Sequence, residues 1–228
     1  MSSAWDWILP LREACFGAPL GGRYPLERLG REAYWELHDT ALRAHFPPEV
    51  FFDFWTPRDP AEKADKDRLV ASMGGDRLED FWVARDGEQV VMMACGHQID
   101  GRTYRMWHTH VHPEYRGKGL YGEYLRRVLE YTREIGFRVV VSEHAPSNNP
   151  VIIAKLKAGF KIYALELNAA VGPSLCLRYF HDPLELAAYE YRCGLATMNA
   201  ALLERGMGAA GKLVDQFRKG GAGPGGAA

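Results

Sequence analysis

The chain has 228 residues, of which 47% are hydrophobic and 25% are charged, a balance typical of a globular protein with one large domain or two small ones. Its formal net charge is −1, so no overall field favours nucleic acid or an anionic membrane. No apolar run reaches the roughly 20 residues that span a bilayer, the first residues lack a signal-peptide pattern, and the four cysteines form no CxxC pair. We therefore expect a cytoplasmic protein with reduced thiols and no metal, nucleic-acid partner or membrane partner.

The first part of the chain is predicted to be mostly helical. Apolar residues recur at helical spacing over Arg31–Phe46, and a second helix is predicted to begin near Pro60 and to end before Gly74. Between them lies the aromatic segment FFDFW at 51–55, which we interpret either as core packing or as the wall of a substrate pocket. No convincing first strand is visible in this part.

From residue 79 onward the apolar pattern alternates, as is typical of strands. An Asp-Gly pair at 86–87 predicts a hairpin turn, and a third strand follows a second Asp-Gly pair at 100–101. The amphipathic segment LYGEYLRRVLEYTREIG then predicts a helix that ends at Gly136. A short buried strand, a short helix, two more strands and a long helix over about 184–204 follow.

This order of elements predicts an α/β fold built on a mixed sheet with one right-handed parallel crossover. We expect a helical N-terminal part over 1–78, a core over 79–180, a helical extension over 181–219 and a disordered, low-complexity tail over 220–228. The first three parts are expected to form one domain. The long helix of the extension suits either closure of that domain or pairing with a second copy as a homodimer.

One loop carries most of the functional information. The segment VHPEYRGKGLYGEYL, residues 111–125, places three glycines and two cations where the amphipathic helix begins. Backbone N–H groups at a helix start lack intrahelical partners, and the helix dipole adds about half a positive charge there. Glycines let the backbone approach a ligand closely, and the side chains of Arg116 and Lys118 add full charges. Such a loop suits a diphosphate.

Two other interpretations of the loop are open. Gly117, Gly119 and Gly122 match G-x-G-x-x-G, and Glu143 follows 21 residues after the last glycine, which is the spacing of a dinucleotide-binding unit with an acidic ribose contact. Three features argue against a dinucleotide-binding unit. The residues HPEYR separate the strand from the first glycine, and Lys118 lies inside the loop. No further βαβ units flank the loop. The other interpretation is a structural turn without a ligand.

The loop resembles the acyl-coenzyme A (acyl-CoA) loop of the GCN5-related N-acetyltransferase (GNAT) superfamily, whose pattern is Arg/Gln-x-x-Gly-x-Gly/Ala. Arg116, Gly119 and Tyr121 occupy its fixed places, with tyrosine where glycine or alanine is usual. The segment SNNPVIIAKLKAGF is similar to the family's Asn-rich loop, short helix and terminal Gly-Phe. The strand order agrees over residues 79–180, whereas residues 1–78 agree only loosely.

The resemblance implies transfer of an acetyl group from acetyl-CoA to a primary amine, on a small molecule or a peptide, by direct attack on the thioester. It implies that the pantetheine arm lies between two strands that splay apart. The residues expected to bind acetyl-CoA are Thr109, Val111, Arg116, Gly117, Lys118, Gly119, Leu120, Tyr121, Asn148 and Asn149. An ammonium group cannot attack, so the reaction needs a base and, in some enzymes, an acid for the leaving thiolate.

The catalytic groups are less clearly marked. The family's frequent glutamate base is replaced here by Trp107, and its tyrosine acid by Lys155, which is either a proton donor or a solvated surface residue. His108, His110 and His112 alternate along one strand, so two or three of them share a face, and a histidine suits the role of base near neutral pH. We expect the base among them, preferably as a pair of His110 with Glu143. Because of these departures, an acyl-CoA-binding module without catalysis is an alternative.

Overall fold

The computed structural model describes residues 5–42, 45, 56–72 and 77–205. The chain divides into two compact units, residues 1–179 and 180–228. The aromatic segment at 51–55, Gly74 and the tail over 220–228 lie outside the described residues, so those predictions stay predictions. Within the described ranges, none of the helices combines the length and the apolar character needed to cross a bilayer.

The frame of the first unit is a mixed sheet. In chain order its strands are β1 (Leu26–Arg28), β2 (Glu79–Asp86), β3 (Gln89–Gln98), β4 (Thr103–Val111), β5 (Val139–His144), β6 (Lys161–Asn168) and β7 (Gly172–Phe180). Their order across the sheet is β1-β2-β3-β4-β5-β7-β6. Strands β4 and β5 run parallel, and β1 to β4 form antiparallel neighbours. The predicted mixed sheet, hairpin and parallel crossover are confirmed, whereas β1, with only three residues, escaped prediction.

The helices of the first unit are α1 (Leu9–Phe16), α2 (Arg31–Ala41), α3 (Pro60–Ser72), α4 (Leu120–Ile135) and α5 (Asn149–Lys157), and those of the second unit are α6 (Pro183–Arg192) and α7 (Ala200–Glu204). Helices α1, α2, α4 and α5 pack on the two faces of the sheet. One buried cluster contains Phe16 of α1, Leu125 of α4 and Ile152 of α5, and we call this side of the sheet the α4 face. A second cluster joins Tyr34 of α2 to β2 and β3, and we call this side the α2 face.

Helix α4 has the boundaries that its glycines predict. Gly119 before it and Gly136 after it have φ angles of 79° and 104°, in the left-handed region that favours glycine. Arg127, which the sequence pattern placed on the exposed side, is buried instead. Contacts with a distant segment explain its burial, because its guanidinium donates hydrogen bonds to the carbonyl oxygens of Ala18 and Pro19 at 2.6 and 3.0 Å.

The second unit contains two helices, α6 and α7, where the sequence pattern predicted one helix over about 184–204. Gly194, just beyond α6, has a φ angle of 71°, a conformation that ends a helix. Asn199 then caps α7, because its side-chain oxygen accepts a hydrogen bond from the N–H of Leu202 at 2.9 Å. The apolar periodicity continues across this break, which is why the pattern alone missed it.

Candidate active site

The glycine loop joins the end of β4 to the start of α4 through a 3-10 turn at Pro113–Tyr115. Gly117 and Gly119 have φ angles of 75° and 79°, which strain any residue with a side chain. A Cβ atom at either position would meet no other atom within 4 Å. The loop therefore needs glycine for its backbone, and the space in front of it is open to a ligand.

Tyr115 holds the loop in place. Its O–H donates a hydrogen bond to Asp86 at 3.3 Å, and Lys118 Nζ lies 4.6 Å from the centre of its ring, a cation–π contact. Arg116 Nε donates a hydrogen bond to the carbonyl oxygen of Val111 at 3.0 Å. Both predicted cations are thus fixed beside the start of α4, where the helix dipole adds to their positive charge.

The strands on either side of the loop separate. The parallel register joins Thr103–Arg105 to Val139–Val141 and ends there, although β4 continues to Val111 and β5 to His144. The remainder of β4 is therefore available to pair with an extended ligand through its backbone. This divergence agrees with the splayed strands that the family resemblance implied.

A β-bulge in β4 decides which side chains reach each face. The register with β3 shifts by one residue between Met106 and His108, which leaves Trp107 as the extra residue. Met106 packs in the core of the α4 face, whereas the rings of His108 and His110 lie together on the α2 face, 6.4 Å apart and nearly parallel. The prediction that these two histidines share a face is confirmed.

Further imidazoles extend this pair into what we call the histidine row: His38, His45, His108, His110 and His112. The rings of His38 and His108 are 4.7 Å apart, and those of His45 and His112 are 4.5 Å apart. The O–H of Tyr34 lies 3.3 Å from His108 Nδ1. Sequence reasoning missed His38 and His45, because nothing in their spacing relates them to a strand some 60 residues later.

The two histidines on β4 are poor at holding a proton. Burial first, and then repulsion by His38 and His110, lowers the pKa of His108 to about 3. Burial first, and then repulsion by Arg116 and the other imidazoles, lowers the pKa of His110 to about 4. Both rings are therefore neutral near pH 7 and have a nitrogen lone pair with which to accept a proton.

Glu143 does not lie where the sequence prediction placed it. Its carboxylate accepts a hydrogen bond from Arg105 at 2.6 Å, so the described ion pair is with Arg105 rather than with His110. The reason is the divergence of the strands, because Arg105 is in the paired part of β4 and His110 lies beyond it. Atoms of Glu143, Glu166 and Cys176 also lie within 4.8 Å of one another, a set of metal-ligating side chains that comes from three strands and has no sequence signature.

Lys155 is buried, and the alternative of a solvated surface residue is wrong. Only 1% of its surface is exposed, its Nζ lies 3.3 Å from Met106 Sδ, and the centre of the Phe160 ring is 4.4 Å away. Burial lowers the pKa of Lys155 to about 7. Such an amine exchanges its proton readily at neutral pH, and it lies beside the point where β4 and β5 begin to separate.

The structure also places the remaining predicted residues. Tyr121 packs against the core of the α4 face, as its position in the apolar stripe predicted. Asn148 precedes α5 and makes no side-chain cap hydrogen bond, and Asn149 is exposed at the helix start. Thr109 lies on β4 opposite Ala94, in the part of the strand that has left β5.

A model of the acetyltransferase (GNAT) family matches residues 31–160, which is more than half of the chain and spans both the glycine loop and α5. The chain therefore belongs to the GNAT acetyltransferase family, a family of acyltransferase enzymes. Its mixed sheet, with α4 between the parallel strands β4 and β5, agrees with the fold that the resemblance to this family implied.

Individual relatives are more distant. N-acetyltransferase 8B of Rattus norvegicus is 31% identical over 98 residues, which cover 41% of this chain and 44% of that protein. Spermidine/spermine N-acetyltransferase from Vibrio cholerae is 14% identical with a TM-score of 0.48 and covers 76% of this chain and 98% of that one. A phosphinothricin acetyltransferase from Sinorhizobium meliloti, solved with acetyl-CoA, is 17% identical with a TM-score of 0.47 and covers 69% of this chain and 88% of that one.

Proposed function

We propose that this protein transfers an acetyl group from acetyl-CoA to a primary amine by direct attack of the amine on the thioester. One observation carries the proposal: the open glycine loop at the start of α4 adjoins the gap between β4 and β5. A diphosphate at the loop and an extended arm in the gap would then be parts of one ligand. Family membership favours acetyl-CoA over a dinucleotide as that ligand.

The loop would bind the diphosphate. Backbone N–H groups from Gly117 to Tyr121 would donate hydrogen bonds to its oxygens, and the charges of Arg116 and Lys118 would add to them. The pantetheine arm would pair with the backbone of β4 near Thr109 and Val111. Asn148 and Asn149, exposed at the start of α5, would contact the same arm from the β5 side.

His110 is our proposed base. A primary amine is mostly protonated at neutral pH, so it must lose a proton before or during attack. His110 lies on the α2 face at the open part of β4 and is neutral there, because burial holds its pKa near 4. It would take the proton as the amine nitrogen bonds to the carbonyl carbon, since that bond makes the nitrogen more acidic. His108, its neighbour in the histidine row, is the second candidate for this role, and Glu143 is the third.

Lys155 is our proposed acid. When the tetrahedral intermediate collapses, the carbon–sulfur bond breaks and the sulfur leaves as a thiolate, which needs a proton. A lysine with a pKa of about 7 is protonated in about half of the molecules at neutral pH and gives its proton up easily. Its place beside Met106 puts it on the α4 face, opposite the proposed base.

The acceptor is expected to reach the site from the α2 face. That surface carries aromatic side chains, with the rings of Trp35 and Trp107 5.3 Å apart and Trp107 43% exposed. Such a wall suits an amine with an apolar or aromatic body, on a small molecule or at the end of a peptide. Trp107 also occupies the position where a glutamate base is frequent in the family. Another residue must therefore accept the proton of the acceptor amine.

Thermal stability and turnover together test the proposal. Acetyl-CoA at about 100 times its dissociation constant should stabilise the protein by about 2.7 kcal/mol, and NAD and NADP should not. Release of free CoA with a panel of primary amines then measures transfer.

Exchange of Arg116 and Lys118 for glutamate should weaken acetyl-CoA binding by about 100-fold or more, since two charge-assisted contacts become repulsive.

The possible results separate the candidate functions. Binding together with transfer supports an acetyltransferase. Binding without transfer to any amine, unchanged by substitution of His110 or Lys155, would instead favour an acyl-CoA-binding module. Stabilisation by NAD alone would favour the dinucleotide interpretation, and unchanged affinity after the double charge reversal would contradict the proposed diphosphate site.

A further inference from the structure

The amine of Lys155 is buried on the α4 face, at the closed end of the gap between β4 and β5. Its Nζ lies 3.3 Å from Met106 Sδ, and its charge acts on His144 of β5. Met106 and His144 both lie beyond the parallel pairs, which end at Arg105 and Val141. The Lys155 amine thus lies where the two strands begin to separate.

The proposed function sets the direction of acetyl-CoA in this gap. Its diphosphate would lie at the glycine loop, which follows the end of β4 at Val111, so the thioester at the other end of the pantetheine arm would point to the closed end. From Val111 to Met106 the strand spans about 17 Å at about 3.3 Å per residue, a length similar to that of an extended pantetheine arm. The thioester would therefore come close to the Nζ of Lys155.

The surroundings of Lys155 favour its neutral form. Its Nζ lies 4.4 Å from the centre of the Phe160 ring, and burial lowers its pKa to about 7. Near pH 7 about half of these amines therefore carry no proton and have a free electron pair. Its titratable neighbour His144 is neutral as well, because its pKa is lowered to about 3. A lysine that has lost its proton in an apolar pocket is a nucleophile.

We propose that Lys155 is a self-acetylation site, an inference that rests on the proposed function. When acetyl-CoA is bound and no acceptor is present, the neutral Nζ attacks the thioester carbonyl from the α4 face. A carbon–nitrogen bond forms and the carbon–sulfur bond breaks, while the nitrogen loses a proton and the departing thiolate gains one. The products are an acetylated Lys155 amide and the free thiol of CoA, and no further reactant is needed.

Acetylation of Lys155 switches the enzyme off. An amide nitrogen does not give up a proton near pH 7, so the proposed acid is lost. The apolar layer around Met106 and Phe160 also suits a neutral amide better than an ammonium group, because a buried charge costs more than a buried amide. An acceptor amine that enters from the α2 face competes for the same carbonyl, so a shortage of acceptor speeds the inactivation.

Mass spectrometry of the full chain tests the site. The protein is incubated at pH 7 with deuterated acetyl-CoA and no amine, so that new acetyl groups are distinguished from earlier ones. Peptide mapping should place the label on Lys155 in most chains, and transfer to an amine should fall in proportion. Lys157, exposed on the same helix, is the internal control. It should react at least about 100-fold more slowly, since an exposed lysine amine is neutral in fewer than about one molecule in a thousand near pH 7.

Two variants separate the switch from the site. Lys155→Gln resembles the acetylated side chain, so it should bind acetyl-CoA and transfer as slowly as the fully labelled protein, and circular dichroism shows whether it is folded. Lys157→Arg should change neither the labelling of Lys155 nor transfer. A saturating acceptor amine should slow the labelling of the wild type.

The outcomes keep this inference apart from the proposed function. Transfer to amines without label on Lys155, label spread evenly over exposed lysines, or full transfer activity in labelled protein would overturn the inference and leave the acetyltransferase intact. Label on Lys155 without transfer to any amine would support the site and contradict an external acceptor. A chain that does not bind acetyl-CoA would contradict both.

Discussion

The two faces of the sheet at strand β4 hold buried basic groups in different surroundings. On the α4 face Lys155 of α5 lies against Met106 and the ring of Phe160, with the neutral imidazole of His144 as its titratable neighbour. Burial lowers the pKa of Lys155 to about 7. On the α2 face His108 and His110 lie among other imidazoles, and burial with mutual repulsion lowers their pKa values to about 3 and 4. At neutral pH the α4 face thus holds an amine that is close to its pKa, and the α2 face holds imidazoles that are neutral.

The largest effect on transfer is expected for Lys155→Met. The titratable neighbour of Lys155 among the described residues is His144, and burial together with the charge of Lys155 lowers the pKa of His144 to about 3. His144 is therefore unprotonated at neutral pH and cannot replace the acid. We expect kcat to fall by about 10³-fold, with little change in acetyl-CoA affinity measured by calorimetry. A variant that keeps at least a third of the wild-type kcat would show that Lys155 is only a core residue.

A smaller loss is expected for His110→Gln, because His108 lies next to it and can take over part of the role. We expect kcat to fall by about 10²-fold, and the double variant with His108→Gln to fall further. His97→Gln is the control: this histidine also has a pKa lowered by burial but contacts Trp107 instead of the row. Equal losses in the control and in His110→Gln would point to a general disturbance of the α2 face.

The burial of Lys155 also predicts a pH dependence of stability. Its pKa is near 7 in the folded protein and near 10.5 when exposed, so between these values the unfolded chain binds more protons. The free energy of unfolding should therefore rise with pH over this window, by up to about 1.4 kcal/mol per pH unit relative to Lys155→Met. Urea unfolding of both proteins at several pH values measures the slope, and parallel curves would contradict the lowered pKa.

The smallest effect is expected for Glu143→Gln. Glu143 is paired with Arg105, and both side chains are more than a quarter exposed, so the pair contributes little to stability. We expect kcat to stay within about threefold of the wild type, since the structure places Glu143 with Arg105 rather than with His110. A 100-fold loss in the transfer assay would restore Glu143 as the base and move the proton-accepting group away from the histidine row.

The amino-acid sequence determined the features that depend on neighbours along the chain. Gly117 and Gly119 are required by local backbone conformation, α4 by its apolar stripe and Gly136, and the β2–β3 hairpin by its Asp-Gly turn. The glycine loop and the order of strands were therefore predicted before any contact was known. These features sufficed to indicate the family, because its acyl-CoA loop is itself a local motif.

Only the tertiary structure decided which distant side chains meet. The bulge at Trp107 turned the histidines towards α2, the divergence of β4 from β5 left Glu143 with Arg105, and the fold enclosed Lys155 in an apolar layer. Each outcome depends on how strands separated by tens of residues align, which a pattern along one strand does not contain. Burial then set the pKa values, because the loss of hydration depends on every atom packed around a group and not on its neighbours in sequence.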